Sequence, residues 1–412
     1  MKVLVVGNGG REHAIAKKLA EDDIDLYAAM SSRNPGISRL AKKVEIFDIN
    51  KPENYESFRG VDIAFIGPEA PLASGVSDCL EQMGIPVVGP TRALARLEWS
   101  KAYTRSFIRE HGIEGNPDFS ICRSLNDVRR FMNDHPDLVV KPDVLTGGKG
   151  VKLMGEQLNS VAEVEDYAVE RIRSDGLVVL EEKLRGREFT LQAFTDGDNL
   201  EVMPLVRDYK RAYDGDKGSN TGSMGSFSCP DYNLPDLPGN AVAKGSKIMK
   251  DTVKALADSV GFFKGILYGG FMNTEKGVFL LEYNVRMGDP EAINVLALLD
   301  TSLLRLGWEI VDNKLSRPSF ERKATVCVYL VPQGYPDSPK RGVHIAIHDL
   351  EHSNIYYASV HEENGQIFTT SSRSLALLAK GDTVREAGKM VYEDVSRYEG
   401  ELFFRKDISA GF

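Results

Sequence analysis

Glu282 and Asn284 are the residues whose spacing most directly suggests chemistry. They stand two positions apart on a predicted strand, so both side-chain oxygens project from one face of it. Such oxygens suit Mg²⁺, which takes few protein ligands and keeps water and phosphate oxygens around it. Arg286 follows on the same face if the strand continues. The pattern therefore predicts a metal site beside a cation that can meet a carboxylate.

The next four residues, Gly288-Asp289-Pro290-Glu291, are expected to end this strand and begin a helix. Asp289 is a suitable N-cap, and Pro290 suits the first helical position because its missing N–H is not needed there. For both residues this pattern favours a structural role over a catalytic one.

A glycine-rich segment near the N-terminus is a candidate phosphate site. Gly7-Asn8-Gly9-Gly10-Arg11-Glu12-His13 follows a predicted strand and opens a helix, where backbone N–H groups and the helix dipole favour an anion. Arg11 adds a guanidinium suited to a phosphate monoester. A dinucleotide-binding GxGxxG loop would have glycine in place of Glu12, so hydride transfer loses support. A tight turn without a ligand is the alternative.

A second glycine-rich segment, Thr146 to Val151, follows the predicted strand that ends at Lys141. It lacks the GxxxxGK[ST] spacing of a Walker A loop, and its flanks resemble strands. One interpretation is a hairpin that folds over ATP phosphates, with Lys141 and Lys149 offsetting their charge. The other is an exposed Gly-Gly turn with surface lysines.

Two further segments complete the candidate site. Leu180 to Leu184 is an apolar strand running into polar residues; its backbone edge could pair with adenine, and Glu188 could accept from both ribose hydroxyls. The polar segment from 207 to 225 carries cations, a carboxylate and small residues that could close over a phosphorylated intermediate and exclude water. An exposed strand end and a solvated charge run are the respective alternatives.

The elements that must position these residues fall into three regions. From residue 1 to about 97, short apolar strands alternate with helical patterns, which predicts a parallel sheet covered by helices. Beyond residue 100, antiparallel strands predict α+β structure, with a tight hairpin around Asp196-Gly197-Asp198. The stretch from about 324 predicts a small β-rich terminal domain.

Composition excludes several classes of protein. A length of 412 residues favours several domains, and 42% hydrophobic with 27% charged residues is typical of globular proteins. The net charge of -9 disfavours a nucleic-acid surface but allows small anionic substrates. The four scattered cysteines indicate neither a disulfide framework nor a zinc site. The sequence contains no signal-peptide or membrane-span pattern, so we expect a cytoplasmic enzyme without a membrane partner.

Taken in order, these segments resemble the phosphoribosylamine–glycine ligase family, also called glycinamide ribonucleotide synthetase. The resemblance spans essentially the full chain. Two departures stand in the polar segment, where Ser219 and Ser223 replace the family's Pro and Gly, and Pro142 replaces an Ala. The motifs that carry the resemblance are Gly7 to His13, Gly67 to Leu72, Ser100-Lys101, Gly148 to Val151, Asn220 to Gly222, Arg286 with Gly288 to Glu291, and Arg405-Lys406-Asp407-Ile408.

The resemblance implies an α/β and α+β multidomain fold. It comprises an N-terminal Rossmann-like parallel sheet (1–97), a two-subdomain ATP-grasp fold (98–317, with subdomains of roughly 115–185 and the remainder) and a small β-rich C-terminal domain (318–412). It also implies ATP, glycine and phosphoribosylamine as substrates, with Mg²⁺ or Mn²⁺ as cofactor. We expect a monomer or weak homodimer.

Site roles follow from the same resemblance. The residues expected to be catalytic are Arg286, Lys210 and Asp208, and the expected metal ligands are Glu282 and Asn284. The residues expected to bind phosphoribosylamine are Asn8, Gly9, Gly10, Arg11 and Glu69. Those expected to bind ATP are Lys101, Lys141, Gly147, Gly148, Lys149, Gly150, Glu181, Glu182, Leu184 and Glu188.

Three competing functions remain at this point. Another ATP-grasp ligase, such as a biotin carboxylase or another purine-pathway enzyme, would share the architecture; the segments Gly7 to His13 and Gly67 to Leu72 favour the phosphoribosylamine substrate instead. An NAD-dependent oxidoreductase would need the missing fingerprint glycine. A non-catalytic nucleotide-binding module would not need both candidate metal ligands and the phosphate lysines.

Overall fold

A computed structural model of the chain describes residues 1–145 and 150–412. Its N-terminal region is a five-stranded parallel sheet flanked by short helices. The strands are β1 (Lys2–Val6), β2 (Asp25–Met30), β3 (Lys43–Ile46), β4 (Ile63–Ile66) and β5 (Val87–Val88), in the spatial order β3-β2-β1-β4-β5. The helices are α1 (Gly10–Leu19), α2 (Pro35–Leu40), α3 (Glu69–Ser74), α4 (Val76–Gln82) and α5 (Arg92–Trp99), with a 3₁₀ helix at Pro52–Phe58.

The parallel sheet is buried on both faces, which explains its continuous apolar strands. Leu4 and Val6 of β1 pack into one hydrophobic core, whereas Val3 and Val5 pack into another on the opposite face. A strand that is covered on both faces has no solvent-facing positions, so apolar and polar residues do not alternate along it. The predicted Rossmann-like region is confirmed.

The first ATP-grasp sheet is antiparallel and has a small core of its own. Val128, Val140, Val164 and Leu180 are fully buried within it. Its strand order is β6-β9-β7-β8, so the strand with Lys141 lies beside the strand with Glu181. The elements are α6 (Lys101–Glu110), β6 (Phe119–Cys122), α7 (Leu125–Asp134), β7 (Leu138–Pro142), β8 (Lys152–Leu153), α8 (Val161–Asp175) and β9 (Val178–Glu182).

The second ATP-grasp sheet carries the candidate metal residues on its edge strand. Its elements, together with those of the polar segment, are β10 (Arg187–Thr195), β11 (Leu200–Val202), β12 (Arg207–Asp208), β13 (Arg211–Tyr213), β14 (Lys217–Asn220), β15 (Gly225–Ser228), α9 (Gly239–Ser259), β16 (Gly265–Thr274), β17 (Gly277–Asn284), α10 (Glu291–Leu298) and α11 (Leu303–Val311). The strand order is β11-β10-β16-β17, and the predicted hairpin around Asp196 to Asp198 joins β10 to β11.

The C-terminal region is β-rich, as predicted, but its main sheet also recruits the polar segment. Strands β12 and β15 add to this sheet, in the order β12-β15-β18-β23-β20. The remaining elements are β18 (Ala324–Pro332), β19 (His344–Ile347), β20 (Asn354–Tyr357), β21 (Val360–Glu363), β22 (Gln366–Thr369), β23 (Leu375–Gly381), α12 (Val384–Val395), β24 (Tyr398–Glu399) and β25 (Leu402–Phe403). No helix among the described residues is long and apolar enough to cross a membrane.

Candidate active site

A cavity of about 210 Å³ lies where the two ATP-grasp sheets, the N-terminal region and the polar segment meet. Most of the residues that line it are polar or charged, which allows a phosphorylated ligand to bind there. It gathers eight of the predicted site residues: Glu69, Lys101, Glu181, Asp208, Lys210, Glu282, Asn284 and Arg286.

Other predicted residues lie beside the cavity or outside the described chain. Lys141 lies behind Glu181, with its ammonium 2.8 Å from the Glu181 carboxylate. Glu188 lies beyond Lys210, with 3.6 Å between the carboxylate and the ammonium. Gly150, Glu182 and Leu184 are described but are not among the wall residues. The predicted residues Gly147, Gly148 and Lys149 lie outside the described residues.

Arg286 is the central cation of the wall. Its guanidinium donates to the carboxylates of Glu98 at 2.7 Å and Glu69 at 3.2 Å, and to the side-chain oxygen of Asn284 at 3.1 Å. Burial lowers the pKa of Arg286, but the Glu98 and Glu69 charges outweigh it and raise that pKa above its usual value. Arg286 therefore stays charged, and its orientation is fixed before any substrate binds.

Glu69 connects this cation to the N-terminal loop. Burial opposes its ionisation, yet Arg286 and Arg11 lower the pKa of Glu69 to about 2. The Arg11 guanidinium is 4.0 Å from the Glu69 carboxylate and also donates to the carbonyl of Met287 at 3.0 Å. Arg11 and Glu69 thus belong to one charge network with Arg286.

The N-terminal loop is organised around the Glu12 side chain. Glu12 accepts the Gly9 N–H at 2.6 Å and pairs with Arg11 at 2.5 Å. A Cβ on Gly67 would lie 2.2 Å from the Glu12 carboxylate, so a side chain there would displace it. Asn8 accepts from the Ser31 hydroxyl at 2.8 Å. The glycines of the loop make room for a carboxylate that fixes the start of α1.

A buried triad of charges, Arg105, Glu181 and Lys141, lies at the cavity wall. The Arg105 guanidinium makes a two-point contact with Glu181, at 2.8 Å and 2.9 Å, and Lys141 contacts the same carboxylate. All three side chains are less than 10% exposed. Burial opposes ionisation of Glu181, but the two cations lower the pKa of Glu181 below its usual value. Two cations against one carboxylate leave a net positive charge beside the cavity.

The triad also contacts a β-bulge in the strand that carries Glu282. Gly270 of β16 pairs with Glu282 and Phe271 pairs with Leu280, which leaves Leu281 as the extra residue. Arg105 donates to the carbonyls of Leu280 and Leu281, at 2.8 Å each, and Lys141 donates to that of Leu281 at 3.0 Å. A bulge re-aims the side chains that follow it. The triad therefore stabilises the backbone that directs Glu282 and Asn284.

Glu282 and Asn284 have the donor chemistry that a hard divalent cation requires. Both project into the cavity from the edge strand β17, and Glu282 is exposed. The described residues contain no cluster of three acidic, His or Cys side chains at metal spacing. One or two carboxylate or amide oxygens plus phosphate oxygens are enough for Mg²⁺, so the residues fit such an ion.

Asp208 and Lys210 reach the opposite wall of the cavity from the polar segment. Asp208 and, more weakly, Glu188 raise the pKa of Lys210 above its usual value, against the effect of burial. Lys210 therefore remains an ammonium group when a phosphate approaches it. The two side chains form a cation and an anion side by side, a pattern suited to a zwitterion such as an amino acid.

Several wall residues were not predicted from the sequence. Arg105 is placed one helical turn after Lys101 on α6, a spacing that could have indicated a shared face. Glu98 has no sequence signal, because its role depends on contacts with Val285 and Arg286 far along the chain. Glu291 stood in a recognised motif but was interpreted as part of a helix start.

The prediction that Asp289 caps α10 is wrong. The helix begins at Glu291, and its cap position is Pro290, with no side-chain hydrogen bond. Asp289 instead accepts from the Tyr329 hydroxyl at 2.6 Å and pairs with Arg373 at 3.2 Å. Two partners from the C-terminal region thus attract the carboxylate away from the helix N–H groups.

Glu291 is a buried carboxyl group with an unusual pKa. It is 3% exposed and accepts the Tyr268 hydroxyl at 2.9 Å. Burial and the nearby Asp208 charge raise the pKa of Glu291 from 4.5 to about 7. The group is therefore partly protonated near neutral pH, unlike an exposed carboxylate.

Replacing Glu291 with Gln should change how stability depends on pH. Between pH 4.5 and 7 the folded wild-type protein holds a proton here that the unfolded chain has released, so its free energy of unfolding falls as pH rises through this range. The Gln variant lacks this contribution. We expect the denaturant-derived stability of the wild type, relative to that of the Gln variant, to fall by at least about 1 kcal/mol as the pH rises from about 4.5 to about 7.5. A pH-independent difference would contradict the assignment.

Comparison with known proteins agrees with this architecture. Family models match residues 1–98 (phosphoribosylglycinamide synthetase, N domain), 99–292 (its ATP-grasp domain) and 325–411 (its C domain). The phosphoribosylamine–glycine ligase of Methanosarcina barkeri is 44% identical over 416 residues, covering 99% of this chain and 96% of that protein. That of Methanoregula boonei is 47% identical with the same coverage.

Solved structures show the same fold. The crystal structure of phosphoribosylamine–glycine ligase from Thermotoga maritima matches with a TM-score of 0.86 and 29% identity, covering 99% of this chain and 100% of that one. A biotin carboxylase from Campylobacter jejuni matches with a TM-score of 0.75 at 10% identity, over 97% and 92% of the two chains, and supports the fold alone. The ATP-grasp fold implies binding of ATP with a divalent metal. The chain belongs to the phosphoribosylglycinamide synthetase family.

Proposed function

We propose that the chain joins glycine to 5-phospho-β-D-ribosylamine, with ATP converted to ADP and phosphate. The product is glycinamide ribonucleotide, and the reaction is the second step of purine synthesis de novo. The observation that carries the proposal is the single cavity that brings the cations Lys101, Lys210 and Arg286 together with the exposed carboxylate of Glu282. The family membership and the names of the full-length relatives support the same activity.

The chemistry explains why such a cavity is needed. A carboxylate is a poor electrophile, so ATP first converts glycine into glycyl phosphate. The amine then attacks the carbonyl and phosphate leaves. Phosphoryl transfer depends mainly on positioning and charge stabilisation, which fits a polar wall without a nucleophilic Ser or Cys role.

The ATP-binding roles form one part of the proposal. Lys101, Lys141 and Lys149 would bind the triphosphate. The net positive charge of the triad at the cavity wall supports this. The remaining proposed contacts are those of Gly147, Gly148 and Gly150 with the phosphates, of Glu181, Glu182 and Leu184 with adenine, and of Glu188 with the ribose.

Glu282 and Asn284 would hold the divalent metal, either Mg²⁺ or Mn²⁺. When bound, such an ion neutralises charge on the outer phosphate oxygens. Arg286, held by Glu69 and Glu98, would meet the glycine carboxylate and the charge that develops on it. Asp208 would bind the glycine ammonium, and Lys210 would contact the acyl phosphate.

The N-terminal loop would bind the second substrate. Asn8, Gly9, Gly10 and Arg11 would contact the 5-phosphate of phosphoribosylamine, and Glu69 would lie near its ribose. The Arg11 guanidinium lies 4.0 Å from the Glu69 carboxylate, and the Arg286 guanidinium lies 3.2 Å from the same carboxylate. These contacts support a continuous path from this loop to the ATP-grasp cavity.

Removing Arg11 should selectively impair use of the amine substrate. We expect Arg11→Ala to raise the apparent KM for phosphoribosylamine at least about tenfold, the effect of losing one charge-assisted contact, and to change that for ATP much less. Arg59→Ala, which removes an exposed arginine of the same domain, is the matched control. Equal effects on the two substrates would refute the phosphate site.

The proposed function is tested by measuring ADP release with ATP, Mg²⁺, glycine and freshly generated phosphoribosylamine, omitting each component in turn. ADP formation that needs both glycine and the amine, with an equal amount of glycinamide ribonucleotide, is the expected result. ADP formation indifferent to either substrate would point to another carboxylate and amine on the same fold.

We also propose domain bounds of 1–97, 98–317 and 318–412. Strands β12 and β15 of the middle region belong to the main sheet of the C-terminal region. The boundary at residues 317 and 318 therefore divides the chain, but not the sheet, into two parts. A cytoplasmic location and a monomer or weak homodimer stay predictions from the sequence.

A further inference from the structure

The C-terminal segment from Phe403 to Phe412 has no part in the proposed chemistry. It contains Arg405-Lys406-Asp407-Ile408, and none of its residues is in the described cavity wall. Nevertheless Arg405 is only 1% exposed, which is unusual for an arginine close to a chain end. Its burial is explained by contacts with the hairpin formed by β13 and β14.

Arg405 joins the C-terminal segment to both ends of this hairpin. Its guanidinium contacts Asp407 at two points, each 2.7 Å, and donates to Asp216 at 2.8 Å and to the carbonyl of Arg211 at 3.1 Å. Asp407 in turn accepts the Gly215 N–H at 2.8 Å. Four hydrogen bonds from one buried guanidinium fix a geometry more firmly than a pair between two exposed side chains does.

The same segment also fixes Tyr209, which lies between the two charged residues of the cavity wall. The Arg405 guanidinium lies 4.9 Å from the Tyr209 ring, and the Tyr209 hydroxyl accepts the Ser409 N–H at 3.0 Å. Asp208 and Lys210 line the cavity, whereas Tyr209 packs away from it, as expected for alternating side chains along extended backbone. Fixing Tyr209 therefore fixes the direction of its two neighbours.

We propose that Arg405 and Asp407 are positioning residues that hold Asp208 and Lys210 in place for the activation of glycine. The inference rests on the proposed function, since it assumes that Asp208 and Lys210 contact glycine and its acyl phosphate. It assigns the C-terminal segment a role in the specificity of a site that it does not touch.

The test compares Arg405→Met, Arg405→Lys and Asp407→Asn with the wild-type enzyme. We expect Arg405→Met and Asp407→Asn to lower kcat/KM for glycine at least about tenfold, because small misplacement of a positioning group has large effects. The KM values for ATP and phosphoribosylamine should change less than about twofold. Arg405→Lys keeps the charge but not the two-point contact and should recover part of the activity.

A double-mutant cycle separates positioning from general stability. If Arg405 acts through the cavity wall, Arg405→Met should have little further effect on kcat/KM for glycine in a Lys210→Met background. Arg397→Met is the matched control, since it removes another paired arginine of the C-terminal region, whose partners are Glu351, Asp394 and Asp349 rather than the hairpin. It should lower stability without changing the KM for glycine.

The outcomes are decisive in both directions. Two results would overturn the proposal: a loss of thermal stability with the wild-type kcat/KM for glycine, or an equal fall in kcat/KM for all three substrates. Either result would mean that Arg405 and Asp407 stabilise the fold without positioning the site. If Arg405→Met does not fold, Asp407→Asn and Tyr209→Phe give the same comparison. The two proposals can fail separately. If the proposed function is wrong, ADP release by the wild-type enzyme will not depend on glycine and the amine, and this is measured before any variant is compared.

Discussion

Glu282→Gln is expected to abolish most phosphoryl transfer while leaving the fold intact. Glu282 is exposed on the cavity wall, so its replacement should change the free energy of unfolding by no more than about 0.5 kcal/mol. Loss of one preorganised charge contact to a transition state typically costs about 100- to 1000-fold in turnover. We therefore expect at least a 100-fold fall in ADP formation, measured with saturating glycine and phosphoribosylamine.

The dependence on metal concentration identifies the cause of this loss. A Gln side chain retains one oxygen ligand without its charge, so the variant should need a higher Mg²⁺ concentration for half-maximal activity. Glu275→Gln, at the exposed turn of the same β16–β17 hairpin, is the matched control and should behave as wild type. Near-normal turnover by Glu282→Gln would refute the metal assignment.

Arg105→Met should produce the largest loss of stability. Removing this guanidinium leaves the buried Glu181 carboxylate with Lys141 as its single remaining cation. It also leaves the Leu280 carbonyl without its side-chain donor and the Leu281 carbonyl with Lys141 alone. Each hydrogen bond lost from a buried charged group costs roughly 1.5–3 kcal/mol, so losing several of them should cost about 3–5 kcal/mol even though Lys141 still pairs with Glu181. Urea unfolding should show a loss of this size.

The same substitution should weaken ATP binding. With Arg105 gone, Glu181 neutralises Lys141, so the net positive charge beside the cavity disappears and the apparent KM for ATP should rise. Arg129→Met removes a pair of the same two-point geometry, with Glu165, on the exposed surface and should cost less than about 1 kcal/mol. Similar losses in the two variants would contradict the role of the buried triad.

Local sequence patterns were sufficient for most elements of the fold. The apolar run of β1, the hairpin around Asp196 to Asp198 and the strand that carries Glu282 and Asn284 were predicted and are confirmed. The missed elements are short. Strand β3 is a four-residue edge strand with half-exposed side chains, and α2 has six residues whose start depends on the Asn34 cap. Neither has enough residues to show a period.

Contacts between distant segments could not be predicted in the same way. Arg105 and Glu181 are 76 residues apart, and their pairing depends on α6 packing against β9. The bulge at Leu281 depends on the register of two strands, which no residue type in it reveals. The incorrect cap at Asp289 has the same origin, because Tyr329 and Arg373 belong to strands and loops that arrive much later in the chain.

The motifs nevertheless indicated where the site would form. The eight predicted residues that line the cavity come from five separate segments of the chain. The individual roles of those residues remain proposals. What the sequence did not indicate is the set of partners, Glu98, Arg105 and Arg373, that pair with the charged residues Arg286, Glu181 and Asp289 of the wall.

Transfer of an oxygen atom from glycine to phosphate tests the central claim most directly. Glycine labelled with ¹⁸O in its carboxylate is incubated with the enzyme, ATP, Mg²⁺ and phosphoribosylamine, and the released phosphate is analysed by mass spectrometry. If glycyl phosphate forms, the carboxylate oxygen that attacks the γ-phosphorus leaves with the phosphate, so each phosphate should carry one ¹⁸O. Unlabelled phosphate released together with ADP would contradict the account, since ATP would then be cleaved without activating glycine.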